Sequence, residues 1–271
     1  LKNIGVIIID EEHSESYKQE NNPRYNTLDI AMERSKTHNC PVILGSATPT
    51  IESYARAQKG YYDYLELPKR VNEKKLPSVS IVDMRNEIRK GNKVFSEELI
   101  KKINDRLQKK EQVMLLLNRR GYSNYLTCQN CGYTFKCPYC DITLTYHKTS
   151  NNLRCHYCGY TLVNSEVCPE CHEKALTSYG LGTEKLEEEI KQRYNVNTVR
   201  MDADTTTRKG SQDEIIKKIE SGEAKIIIGT QMIAKGFDFP NVTLVGIINA
   251  DDALNVPDFR SGERTFELLS Q

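Results

Sequence analysis

The sequence predicts an α/β protein of two incomplete lobes built on parallel strands, the second interrupted by a cysteine-rich ribbon that holds two zinc ions. Three observations lead there. Short continuous apolar runs recur along the chain and end in polar residues, the pattern of strands buried on both faces of a parallel sheet. Stretches with a helical apolar period lie between them. Eight of the nine cysteines fall between Cys128 and Cys171, in four C-x-x-C pairs.

The cysteines carry the clearest chemistry. Two thiolates two residues apart bind one metal ion from a single tight turn, and two such turns complete a tetrahedral Zn2+ shell of four sulfurs. Eight thiolates therefore predict two closed, structural sites with no ligand position left for catalysis. Only five residues separate Cys131 from Cys137, whereas fourteen separate Cys140 from Cys155, close to the usual ribbon gap. The inner turns then pair as Cys137, Cys140, Cys155 and Cys158, and the outer ones as Cys128, Cys131, Cys168 and Cys171. Gly132 and Gly159 follow two of the turns, where a positive φ brings backbone N–H groups towards sulfur. A disulfide framework is the competing reading, but evenly repeated C-x-x-C turns suit metal better. With both shells complete, His147, His156 and His172 are expected to be bystanders.

The 271 residues leave room for two domains and the zinc ribbon, and 38 basic residues balance 37 acidic ones, so net charge indicates no particular partner. No apolar run approaches membrane-spanning length and no signal peptide is visible. Reduced cysteines suit a cytosolic protein. Leu1 lies just before a predicted strand and Gln271 inside a predicted helix, so a piece of a larger protein is expected.

In chain order, Ile4 to Ile9 is the first predicted strand and ends in Asp10-Glu11-Glu12-His13. Carboxylates at the carboxyl end of such a strand sit where α/β folds bind ligands. A second strand, Val42 to Leu44, runs into Gly45-Ser46-Ala47-Thr48-Pro49. Between them, residues 16–25 mix aromatic and basic side chains without a helical period. Tyr17 or Tyr25 could stack on bases while Lys18 and Arg24 meet phosphate, or the stretch is an ordinary surface loop. Val79 to Val82 is another strand candidate, and Ser96 caps a helix reaching about Lys109. Val113 to Leu117 precedes Asn118-Arg119-Arg120-Gly121-Tyr122, whose arginines suit phosphate contact. After the cysteines a helix opens at Thr183, Val196 to Met201 is a strand, and Ser211 to Glu214 reads as a capping box. Ile226 to Ile228 leads into the loop from Gly229 to Pro240, and Val242 to Ile248 is the last strand. The zinc ribbon is thus an insertion whose two ends must lie close together.

D-E-x-H followed by S-A-T at the end of the next strand resembles motifs II and III of superfamily 2 helicases. With N-R-R-G-Y, the four C-x-x-C turns, G-x-G-T-E at Gly180 to Glu184, G-T-Q-M-I-A-K-G and P-D-F-R-S-G-E-R-T-F in this order, the whole chain resembles the primosomal DNA helicases of bacterial replication restart. That resemblance implies two incomplete RecA-like lobes: residues 1–108 for the first, 109–127 and 177–271 for the second, and 128–176 for the zinc-binding insertion. It implies an ATP-dependent 3′-to-5′ helicase that uses Mg2+ and acts on forked DNA. Primosome proteins and single-strand-binding protein would be its partners. A monomer in the bacterial cytoplasm, associated with the nucleoid, is expected.

Residue by residue, the resemblance makes Asp10, Glu11, Glu12 and His13 the catalytic tetrad, with Asp10 holding Mg2+ and Glu11 activating water. Ser46, Ala47 and Thr48, together with His13, would couple hydrolysis to DNA. Tyr17, Lys18, Arg24, Tyr25, Arg119, Arg120, Thr230, Gln231 and Lys235 would face DNA, and Gly236 and Asp238 the nucleotide. Phe237 stands where some members carry histidine and is given no polar role. The ribbon would help engage the fork and partner proteins. No G-x-x-x-x-G-K-[ST] occurs, and the arginine motif Q-x-x-G-R-x-G-R is missing, so this stretch alone is expected to lack ATPase activity. Two other readings remain: a non-catalytic zinc-ribbon scaffold for nucleic acid or protein on a helicase-like fold, and a different zinc-bearing superfamily 2 translocase.

Overall fold

The computed structural model describes residues 2–69, 76–92, 94–117, 125–178, 183–202, 205–206, 210–230, 233, 237 and 239–270. The chain divides into two compact units, 1–78 with 269–271, and 79–268.

In the first unit, β1 (Ile7–Asp10) leads through α1 (Thr27–His38) to β2 (Val42–Gly45) and α2 (Ile51–Gln58). Asn26 starts α1 by accepting the Leu28 N–H, and Thr50 starts α2 by accepting from Ser53. The strands are parallel, with Ile7 opposite Val42 and Asp10 opposite Gly45. The register matters for function, because it sets the acidic end of β1 beside the Ser46 turn. The first strand begins at Ile7 rather than Ile4, and it is not buried on both faces. Ile9 is 5% exposed, but its neighbour Ile8 is 64% exposed. Side chains alternate across a strand, and among the described residues this sheet has two strands. Val79 to Val82 is not a strand either. Ile81 is almost fully exposed and no described strand pairs with this segment, so its apolar alternation finds no backbone partner.

The second unit contains α3 (Met84–Arg89), α4 (Glu97–Gln108) and β3 (Gln112–Leu117). The insertion follows with β4 (Leu126–Cys128), β5 (Thr145–His147), β6 (Asn152–Arg154), β7 (Thr161–Val163) and β8 (Leu176–Ser178). After it come α5 (Thr183–Arg193), β9 (Thr198–Met201), α6 (Ser211–Glu220), β10 (Ile226–Gly229), β11 (Val242–Ile248) and α7 (Ser261–Ser270). Four parallel strands form one sheet in the order β11-β3-β10-β9. Here the apolar runs are buried on both faces as their composition requires. Val113, Leu115 and Leu117 of β3 meet Ile103 of α4 and Leu186 and Ile190 of α5 on one side. Met114 and Leu116 meet Ile219 of α6 and Ile227 on the other. Each such fully buried aliphatic side chain contributes about 1.5–3 kcal/mol.

α4, which the sequence reading assigned to the end of the first lobe, packs on β3 and β11 of the second unit. Ser96 caps it, accepting from Leu99 at 3.1 Å. The capping box expected at Ser211 is absent. α6 starts at Ser211 itself, and Gly210, with φ 87°, occupies the cap position without a side-chain bond. Gln112, fully buried, donates from its amide to the carbonyls of Ile219 and Ala224 and so ties the end of α6 to β3. The insertion leaves and re-enters this fold through one antiparallel pair, Leu126 opposite Ser178 and Cys128 opposite Leu176. Its ends are adjacent, as a ribbon spliced into a sheet domain must have them.

Candidate functional site

All four C-x-x-C turns adopt one geometry. The first cysteine's carbonyl accepts the N–H four residues on: Gly132 to Cys128, Asp141 to Cys137, Gly159 to Cys155 and His172 to Cys168, at 2.8–3.0 Å. Its own N–H donates to the carbonyl five residues on, in Tyr133, Ile142, Tyr160 and Glu173 respectively. The residue after each turn's second cysteine is left-handed in every case, with φ 80° at Gly132, 53° at Asp141, 79° at Gly159 and 59° at His172. Glycine does this freely. Asp141 and His172 do it under strain, and only the two glycines were legible beforehand.

The sulfurs gather as expected: Cys128, Cys131, Cys168 and Cys171 in one group, Cys137, Cys140, Cys155 and Cys158 in the other, each within 4.8 Å. Sγ–Sγ separations are 3.6 Å for Cys128–Cys171, 3.7 Å for Cys131–Cys168 and 3.5 Å for Cys137–Cys158. A tetrahedron with Zn–S bonds of about 2.3 Å has edges of about 3.8 Å, whereas a disulfide needs about 2.05 Å. The donor sets therefore fit two structural Zn2+ ions, and every cysteine is a free thiol rather than a crosslink. Electrostatics agree. The backbone N–H of Glu173 aimed at sulfur pulls the Cys171 thiol down to about 6, while burial and the neighbouring sulfurs push Cys140 up to about 12. Four sulfurs this close cannot all ionise together without a cation to offset them. The ribbon's own apolar core is small, with Leu126, Phe135, Ile142, Leu144 and Leu153 at its centre.

Contacts with the rest of the second unit hold the ribbon. Tyr125 donates to the Asp252 carboxylate at 2.5 Å, and Thr143 meets the Asn255 amide at 3.4 Å. From α3, Arg89 reaches Asn130 and Arg85 reaches the Cys131 carbonyl, both in the first turn.

In the first unit, Asp10 ends β1 exposed, and its carboxylate accepts the Glu11 N–H at 2.9 Å. Glu11 is left-handed, φ 50°, a conformation that costs a non-glycine residue energy and is typical of functional sites. His13 is buried; its Nδ1 lies 2.8 Å from Ser46 Oγ and 3.4 Å from Glu11 Oε2. Ser46 Oγ also accepts the Thr48 N–H at 3.0 Å. The structure thus joins Glu11, His13, Ser46 and Thr48 in one chain across the two strand ends. Ala47 between them is exposed, and the Thr48 hydroxyl is buried without a hydrogen-bond partner.

Glu12 does something different. Its carboxylate accepts from the Thr50 N–H at 2.6 Å and from the Ser53 hydroxyl at 3.1 Å, at the N-terminus of α2. The negative charge there complements the helix dipole, so Glu12 anchors the helix after the Ser46 turn. A capping role between residues 38 positions apart has no local sequence signal.

The aromatic loop closes on itself, Gln19 donating to the Tyr25 carbonyl at 2.8 Å and Lys18 bridging Asn26. Tyr17 turns inward and donates to the Asp10 carbonyl at 2.7 Å, whereas Tyr25 is exposed. Arg24 donates to the Glu20 carbonyl. Thr230 follows β10, and Phe237 stacks on Phe239 at 5.5 Å, an apolar role in keeping with its side chain. A Cβ on Gly229 would fall 2.6 Å from the Met201 carbonyl, so only glycine permits this strand end to approach β9. Arg119, Arg120, Gln231, Lys235, Gly236 and Asp238 lie outside the described residues.

A buried network also surrounds Arg200, which the sequence reading did not single out. Arg200 pairs with Asp202 at 3.1 Å and lies near Glu184 and Glu187, while Thr183 donates to Asp202 at 2.7 Å. It fastens the start of α5 to β9. No described helix is long and apolar enough to cross a membrane.

Comparison with known proteins matches the same regions. Residues 137–162 match the PriA DNA helicase Cys-rich region domain, and residues 171–262 match the helicase conserved C-terminal domain. Over its whole length the chain is 53% identical to the replication restart protein PriA of Bacillus subtilis and covers 34% of it. It is 43% identical to PriA of Synechocystis, covering 34%, and 42% identical to PriA of Haemophilus influenzae, covering 37%. The chain spans about a third of the length of these relatives. With its four C-x-x-C turns gathered into two four-sulfur centres beside a helicase C-terminal domain, the chain belongs to the PriA family of replication restart proteins, as one stretch of that larger protein.

Proposed function

We propose that this chain is part of an ATP-dependent 3′-to-5′ DNA helicase that acts on stalled or abandoned replication forks. The observation that carries the reading is the Glu11–His13–Ser46–Thr48 linkage, which binds the acidic end of one parallel strand to the turn after its neighbour. Asp10 is the residue to hold Mg2+, its carboxylate being exposed at a strand's carboxyl end. Bound Mg2+ with ATP would supply charge neutralisation on the phosphates. Glu11 is placed to orient water. Neutral His13 protonated on Nε2 accepts the Ser46 hydroxyl; protonated on Nδ1 it donates to Ser46 and Glu11. Either arrangement lets a change at Glu11 reach Ser46 and Thr48, which suits coupling between hydrolysis and lobe movement.

DNA, met by Tyr25, Lys18, Arg24, Arg119, Arg120, Thr230, Gln231 and Lys235, is the substrate in this reading, with Gly236 and Asp238 on the nucleotide side. Tyr17, its hydroxyl held by the Asp10 carbonyl, would link the DNA loop to the acidic site. Primosome proteins and single-strand-binding protein are the proposed partners of a monomer working in the bacterial cytoplasm at the nucleoid. The chain has no P-loop lysine motif, so by itself it should turn over no ATP.

The test is fork unwinding by the full-length protein. Glu11→Gln should lower unwinding and DNA-stimulated ATP hydrolysis by about 10²-fold or more, the usual worth of a general base, while leaving two zinc ions bound. Full activity in that variant would overturn the enzymatic reading and favour a zinc-ribbon scaffold.

A further inference from the structure

The second four-sulfur centre carries a feature that metal binding does not use. Both of its turns place a tyrosine between the cysteines, in Cys137-Pro138-Tyr139-Cys140 and Cys155-His156-Tyr157-Cys158. Tyr139 is 78% exposed and Tyr157 57% exposed. Each stands on a turn closed by two backbone hydrogen bonds and by metal-ligating sulfurs, so neither ring is placed by a flexible loop. Tyr160, half-buried against the ribbon core, meets Tyr139 edge-on at 5.7 Å and props it outward.

The surroundings are basic. From Lys136 to Val163 the only acidic residue is Asp141, against Lys136, Lys148 and Arg154. Cross-strand register puts Thr145, Arg154 and Thr161 on one face of the β5-β6-β7 sheet, opposite to Leu153, which faces the core. His147 of β5 lies 5.2 Å from His156 of the second turn, joining that sheet to the tyrosine-bearing tips. Rigid exposed rings flanked by cations are the elements of a single-stranded polynucleotide site: rings stack on bases and cations meet phosphates. Tyrosine loses little rotamer freedom on stacking. Residues 125–178 contain no helix to enter a duplex groove, and the sheet face is polar rather than the apolar pocket a protein anchor needs.

We propose that Tyr139 and Tyr157, with Lys148 and Arg154, form a stacking site for single-stranded nucleic acid on the second zinc centre. The proposal rests on the DNA-acting reading above only for the choice of DNA over RNA.

The test is binding of labelled oligo(dT) to the zinc-loaded 271-residue chain at low salt, followed by fluorescence anisotropy. The double variant Tyr139→Ala/Tyr157→Ala should weaken binding by about tenfold or more, and Tyr139→Phe/Tyr157→Phe should stay within about twofold, since phenylalanine keeps the stacking face. Lys148→Gln/Arg154→Gln should make the log–log salt dependence shallower by about 1, at roughly 0.7 per lost phosphate contact. This arm reads out even if the alanine pair loses zinc. Binding unchanged in the alanine pair, equal loss in the phenylalanine pair, an unaltered salt slope, or no binding by the unsubstituted chain would each overturn the site. Unwinding by the full-length protein is read separately. Intact unwinding beside any of those results overturns the stacking site alone, and lost unwinding beside intact tyrosine-dependent binding overturns the helicase reading alone.

Discussion

The second unit holds two structures stabilised by opposite means. In the four-stranded sheet, β3 is buried along its whole length, between α4 and α5 on one face and α6 on the other. The zinc ribbon has strands of three residues and a handful of core side chains, and two clusters of four sulfurs stand where a core would be. A sheet of four buried strands excludes enough water to stand on apolar burial. A ribbon of about fifty residues does not, because small folds bury too little surface. One region is therefore specified by many interchangeable apolar contacts and the other by eight irreplaceable atoms.

The strongest way to break that contrast is to remove the metal. Structural zinc is worth about 10–16 kcal/mol of apparent folding free energy per ion. Chelation of the two ions should abolish amide protection between residues 126 and 178 while residues 112–117 and 226–229 stay protected in hydrogen exchange. Native mass spectrometry should first find two zinc ions per chain. Protection that persists in the ribbon, or that vanishes in both regions together, would refute the division.

The reciprocal cut is smaller. Leu115→Ala removes a fully buried side chain from the sheet centre and should cost about 2–5 kcal/mol. The denaturation midpoint of the sheet should fall while zinc stoichiometry stays at two. Zinc loss in step with the sheet would mean that the ribbon depends on the sheet for its fold.

The finest adjustment concerns the left-handed residue of each turn. Asp141→Gly should stabilise the ribbon by up to about 1 kcal/mol by relieving the φ of 53°. Losing its 3.4 Å pair with Lys136 should matter little, because Asp141 is almost fully exposed. Gly132→Ala should cost a similar amount in the opposite sense, read as resistance of bound zinc to a competing chelator. Equal chelator resistance in all three proteins would show that turn strain plays no part.

The same contrast explains what could be read in advance. C-x-x-C spacing is a local property, and loop length selects which turns can meet, so both sets of four cysteines were legible without a fold. Strand β11 was legible at both ends, and the core of β3 nearly so, because a run buried on two faces has a composition that survives any arrangement of neighbours. Where a segment's neighbours decide the outcome, the reading failed. Ile4 to Ile9 and Val79 to Val82 have the composition of buried strands, yet Ile8 and Ile81 are exposed since no described element covers them. Ser211 carries a capping-box pattern, yet the helix begins on it because Gly210 takes the left-handed turn instead. Asp141 and His172 have no sequence mark for a positive φ; hydrogen bonds within the closed turn impose it.

Sequence alone determined which atoms bind metal and which carboxylates end a strand, because both follow from residues a few positions apart. Tertiary structure decided how those carboxylates are used. Glu11 and Glu12 are adjacent in the chain, but one faces His13 and Ser46 while the other caps the helix that starts after Thr50. Their division of labour depends on the register of β1 against β2, which places a turn more than thirty residues away at the acids' side. A hydrogen bond acts only over about 3 Å, so only a folded chain can show which partner each acid has found.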